Sequence, residues 1–167
     1  MKKFFLYMAF CLIFCTNSVF AGQILYNPDK PFYENERYGF SVSFPPGNTW
    51  DMYEAESGDG VTVRDMDDEE KILVYGTREY VVLEQDFDTA LAEEVKNFGN
   101  VEKKNIDSDK KWFTLSGTDK DGKLKYLKCF FGADAANLAI VTVSPNQKLS
   151  FEYIVKEIER SFKPGFK

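Results

Sequence analysis

The sequence contains no histidine. That removes the commonest general base, the usual activator of a serine or cysteine nucleophile, and the commonest metal ligand. Cysteine is nearly as scarce. There are three, and Cys11 and Cys15 fall in the N-terminal apolar run, leaving Cys129 alone in the body of the chain. One cysteine makes no internal disulfide, so the body rests on its core. Cys129 itself lies in an apolar run and reads as a buried, inert thiol. Cations are in deficit too: 21 Lys and Arg against 27 Asp and Glu, a net charge of −6. Such a surface repels nucleic acid and anionic lipid, so a partner is expected to be neutral or basic.

No apolar run is long enough to span a bilayer of ~30 Å. The longest, "FFLYMAFCLIFC" from Phe4 to Cys15, follows Lys2 and Lys3 and precedes "SVFAG". A basic start, a short apolar stretch and small residues at Val19 and Ala21 form a secretory signal, with cleavage expected between Ala21 and Gly22. Lipidation of Cys15 is the alternative, disfavoured because Phe14 stands where a small residue is normal. The predicted location is periplasmic or secreted, with no stable membrane insertion after cleavage. Losing Lys2 and Lys3 takes the net charge from −6 to −8. The remaining chain is long enough for one domain burying roughly 68–70% of its unfolded surface. A soluble monomer is expected.

Residues 22–37 hold two prolines and several turn formers and predict an extended lead-in that packs loosely or hangs free. "GFSVSF" alternates, with Phe40, Val42 and Phe44 on one side, and "PPGNT" ends it. "WDMYEAE", "VTVRDM" and "KILVYG" read as three more strands. "FDTALAEEVKNFG" predicts a helix with Phe87, Ala90, Leu91, Val95 and Phe98 on one stripe, capped by Asp86 or Asp88 and closed in a left-handed conformation by Gly99 or Asn100. Four further strands follow. In the last two, apolar residues occupy both parities: Leu124, Tyr126 and Phe130 alternate with Leu127, Cys129 and Phe131, which predicts packing on each side. "LSFEYIVKEIERSF" predicts a second helix, with Phe151, Ile154, Val155, Ile158 and Phe162 as its stripe and Ser150 as its cap.

Two acidic stretches raise the question of chemistry. "GTDKDGKLKYLK" places Asp119, Asp121 and Gly122 at the third, fifth and sixth positions of a calcium loop. Gly117 then stands at its first position and Lys128 at its last, where side-chain oxygens are required. Asp-Gly between two strand patterns is a hairpin signal instead. "DMDDEE", with Asp65, Asp67, Asp68, Glu69 and Glu70, packs five carboxylates into six residues. Consecutive side chains do not converge on one ion, so a solvated loop is the plainer reading and a cation site the rival one. No cofactor-binding, metal-binding or catalytic set emerges. Tyr33, Tyr38, Trp50, Tyr53 and Trp112 are candidates for an interaction surface, since amphipathic aromatics are enriched there.

The succession "YGFSVSFPPGNTW", "SGDGVTV", "KWFTLSGTDKDGKLKYLK" and "YIVKEIERSFKP" resembles the PsbP-like superfamily over roughly residues 38–165. That group includes the extrinsic P protein of photosystem II and a nuclear-import cofactor that binds the GTPase Ran. The resemblance implies an α+β domain, an antiparallel sheet of about 6–8 strands with helices on both faces, and a non-enzymatic module that works by binding proteins. Its motifs are structural, and no functional residue is carried over. The expected function is that of an exported accessory protein acting through contact with a protein partner in the cell envelope. The alternatives are a carboxylate-dependent hydrolase of envelope polymers, using acids of residues 65–70 or Asp119 and Asp121, and a domain binding a small apolar ligand.

Overall fold

A computed structural model describes residues 23–25, 31–46, 50–65 and 70–166. The signal and its cleavage point at Ala21 and Gly22 lie outside the described residues, as do residues 66–69 of the acidic run. Ten strands are described. β1 (Gln23–Leu25), β2 (Phe32–Glu34) and β3 (Ser41–Ser43) form a small antiparallel sheet. β4 (Trp50–Glu54), β5 (Gly60–Asp65), β6 (Glu70–Thr77), β7 (Asn100–Asp107), β8 (Trp112–Thr118), β9 (Leu124–Phe131) and β10 (Ala136–Val143) form a second, in the order β4-β5-β6-β10-β9-β8-β7. Every pairing is antiparallel. The helices are α1 (Glu79–Val82), α2 (Phe87–Lys96) and α3 (Lys148–Ser161). The protein is α+β with a seven-stranded antiparallel sheet.

Strand composition explains the order. β10 reads ANLAIVTV and is apolar on both parities, which suits the centre of a sheet. β7 reads NVEKKNID, is almost wholly exposed and carries a bulge between Val101 and Lys103, two features that blunt an edge. The buried residues divide by parity into two clusters. Tyr126, Ala139, Val141 and Val143 pack with Phe151, Ile154 and Ile158 of α3 and with Tyr33, Phe40 and Val42. Leu127, Cys129 and Leu138 pack with Phe87, Ala90 and Leu91 of α2 and with Tyr80.

Several local expectations are corrected. The lead-in is not loose: Tyr33 and Asn35 are fully buried. Asn35 pins it, donating from Nδ2 to the Tyr33 hydroxyl (2.9 Å) and the Gly58 carbonyl (3.0 Å) and accepting the Tyr38 N–H at Oδ1 (2.7 Å). α2 is capped by Asp86, which accepts the Thr89 N–H, but it ends at Asn97 in ordinary right-handed geometry. Gly99 instead joins the chain to the sheet, its N–H donating to Thr118 O (2.9 Å). Ser150 does not cap α3. The helix grows directly out of a single 3-10 turn at Pro145–Gln147 and starts at Lys148, so Ser150 lies inside its first turn. The short α1 carries no periodic signal, being a single turn.

Asp121 and Gly122 form the β8–β9 turn. Gly122 has φ +79°, a left-handed value that favours glycine. Asp119 accepts two backbone N–H groups, from Asp121 (2.9 Å) and Lys123 (2.8 Å). Its carboxylate holds the turn together.

Candidate interaction groove

The C-terminal segment builds one wall of a groove. After α3, Lys163 and Ser41 exchange backbone hydrogen bonds (2.9 and 3.1 Å), joining the segment to β3. Gly165 then donates its N–H to Asn137 Oδ1 (3.0 Å). A Cβ on Gly165 would overlap the Tyr38 carbonyl oxygen, so only glycine permits this approach. Phe166 rests on Gly132.

The opposite wall comes from β8 and β9. Trp112 and Phe130 face each other in register. Lys111, at φ +53°, turns the chain into β8 and accepts the Phe131 N–H (2.7 Å). Between these walls lies a groove of about 870 Å³, lined by Tyr38, Trp112, Phe130, Phe131 and Phe166 with Arg37, Lys110, Lys111, Asp109 and Asp134 around them. Arg37 is fixed, donating to Ser57 O (2.7 Å) and Asp59 (2.6 Å), with its guanidinium 5.3 Å from the Tyr38 ring centre. Burial, reinforced by the Asp59 carboxylate, raises the Tyr38 phenol above its usual range. A smaller pocket of about 330 Å³ adjoins through Trp112 and Phe130 and adds Asn105, Thr114, Lys128 and Glu159.

Of the five expected surface aromatics, the groove gathers two, Tyr38 and Trp112. Tyr33 is core, its hydroxyl donating to Glu54 (3.2 Å). Trp50 is core as well, its indole N–H donating to Pro45 O (2.9 Å). Both rings are covered because their polar tips find internal partners. Tyr53 is exposed on the edge strand β4 and lines neither cavity. Phe130 and Phe131 were legible only as apolar positions of β9, and nothing local marks Phe166 as a wall.

Of the acids proposed for hydrolysis, Asp119 and Asp121 do not line the groove: Asp119 is bound into its turn and Asp121 is exposed beside it, while the side chains of residues 65–70 lie outside what the structure describes. A buried carboxylate does exist elsewhere. Glu94 on α2 accepts the Tyr80 hydroxyl (2.5 Å), with burial and that bond pushing the phenol far up. It lines neither cavity. Among the described residues, no group of three or more His, Cys, Asp or Glu is placed to hold a metal, and no helix is long and apolar enough to cross a membrane.

No family profile and no curated protein matches the sequence. Among solved structures, the chain is similar to the solution structure of cyanobacterial PsbP (CyanoP) from Synechocystis sp. PCC 6803. The TM-score is 0.54, over 84% of this chain and 95% of that one, at 11% sequence identity. The fold is PsbP-like. At that identity the likeness speaks for the path of the backbone. The groove must be read from this chain's own side chains, because a PsbP-like fold does not prescribe what lines it.

Proposed function

We propose that this protein is a non-enzymatic binding module that docks a protein partner along the aromatic groove. The observation that carries the reading is the gathering of five aromatic residues from four separate chain segments around one groove. Aromatic anchors in pockets dominate protein interfaces, and a polar rim such as Arg37, Lys110, Lys111, Asp109 and Asp134 is their usual surround. The PsbP-like fold is read further as an α/β/α sandwich, supported by the membership of α3 in one buried cluster and α2 in the other. On the pattern of Lys2 to Gly22, the module works in the periplasm or outside the cell.

Photo-crosslinking tests the reading. A photoreactive residue is placed at Tyr38 or Trp112 and, as a control, at Leu149, which is 83% exposed on α3. In envelope extract, positions 38 and 112 are expected to capture the same discrete protein and position 149 not to capture it. Equal capture from all three, or none from the groove, rejects the proposal.

A further inference from the structure

We propose that the 330 Å³ pocket beside α3 binds a neutral polyhydroxylated ring, a single sugar or the terminal unit of a saccharide, stacked on Trp112. This does not rest on the protein-docking reading. α3 packs chiefly over β3, β9 and β10, so the sheet continues past it through β8 to β7, and the pocket lies at that step.

The floor is Thr114, only 7% exposed. Its hydroxyl oxygen accepts a long hydrogen bond from Asn105 Nδ2 (3.4 Å), and its own proton has no acceptor among the described residues. Thr114 lines the pocket, so a ligand oxygen can replace the water that otherwise takes this proton. The walls are Trp112 and Phe130. Unlike Trp50, the Trp112 indole N–H has no partner among the described residues.

The rim carries one charge of each sign. Lys128 donates to the Glu159 carbonyl (3.0 Å), which leaves further ammonium protons to offer, and burial lowers its pKa. Among the described residues, the Glu159 carboxylate accepts only the Tyr126 hydroxyl (3.3 Å). This set selects by chemistry. An anion gains Lys128 but meets Glu159, and a cation meets the reverse. A flat apolar ligand would desolvate Thr114, Asn105 and Lys128 without replacing their hydrogen bonds. A ring with an apolar C–H face and hydroxyls that both donate and accept satisfies the indole, Thr114, Lys128 and Glu159 together. The volume lies at the lower end of ligand-sized cavities, roughly 300–1,000 Å³.

Tryptophan emission reports the event, because the chain has two tryptophans and Trp50 is only 6% exposed. The purified protein is titrated with glucose, galactose, N-acetylglucosamine and its β-1,4 dimer, with acetate and tetramethylammonium as charged controls. At least one sugar is expected to give a saturable change in emission, and neither control to do so. Thr114→Val and Lys128→Met are each expected to weaken that sugar by about tenfold. On the unmodified protein, amide shift changes are expected to centre on Asn105, Thr114 and Lys128, which keeps the test decisive if a variant fails to fold. The inference is overturned if no sugar saturates by emission or calorimetry, if acetate binds as well as the sugars, or if the shift changes centre elsewhere.

Discussion

At the scale of single residues, an acid whose spacing suggests chemistry can be engaged in structure instead. Asp119 is the sharpest case, since a calcium-like spacing turns out to be a carboxylate gripping its own turn. Asp119→Ala is expected to cost about 1–2 kcal/mol by urea denaturation, from two hydrogen bonds to backbone N–H groups. Gly122→Ala separates the two components of that turn. Its Cβ would meet open space, so any loss, about 1 kcal/mol, reflects only the positive φ. Tyr33 gives a pH signature. Burial, above all, pushes its phenol up to about 12. Below about pH 10 both folded and unfolded chains keep it protonated; above that, the unfolded chain ionises first. The contribution is therefore complete below pH 10 and lost as pH rises towards 12. Tyr33→Phe is expected to flatten the fall of stability between those values while lowering stability at neutral pH, where its bonds to Glu54 and Asn35 are missed. An unchanged alkaline slope in denaturant titrations would refute this assignment.

At the scale of elements, α2 shows how a local signal becomes a stable unit. Asp86 accepts the Thr89 N–H at the helix start, and that bond, chiefly, holds its carboxyl below the usual range. A lowered folded pKa means a contribution present above the unfolded value and lost as pH falls through the folded one. Asp86→Ala is expected to lower the melting temperature at neutral pH, and the gap from the parent protein should close on acidification below the ordinary aspartate range. A gap that persists in acid would mean that Asp86 acts through something other than its charge. The same helix was legible in the sequence because its information is local: of the expected stripe, Phe87, Ala90 and Leu91 are buried, Val95 is half-buried, and Phe98 is buried just past the helix end at Asn97. The double-parity pattern of β9 was legible for the same reason, and its two sets fall into the two clusters. What was not legible depends on distant segments. Asn35 looks like a turn residue until Gly58 arrives beside it. Trp50 looks like a surface aromatic until Pro45 supplies an acceptor for its indole. The groove is the extreme case: Tyr38 and Trp112 could be suspected individually, but Phe166 becomes a wall only because Gly132 and Gly165 allow close approach.

At the scale of the whole molecule, one sheet supplies both buried clusters. Tyr126 and Leu127 are neighbours in β9, yet one belongs to the α3 cluster and the other to the α2 cluster. Loosening either cluster must disturb strands that also build the other, so opening should be cooperative across the sheet. Cys129 makes this measurable. It is fully buried in the α2 cluster, and burial pushes its thiol well above the usual range, so a thiol reagent reaches it only through opening. Ile158 is fully buried in the α3 cluster. Ile158→Ala is expected to cost about 2–5 kcal/mol. When closing outpaces labelling, the rate follows the population of the open form. Labelling of Cys129 should then accelerate by at least about thirtyfold, at 1.4 kcal/mol per tenfold. The comparison is made with Cys11 and Cys15 replaced by serine in both proteins, so that only Cys129 reacts. If Ile158→Ala lowers overall stability but leaves the Cys129 rate unchanged, the two clusters open independently, and the sheet does not couple the α3 cluster to the α2 cluster.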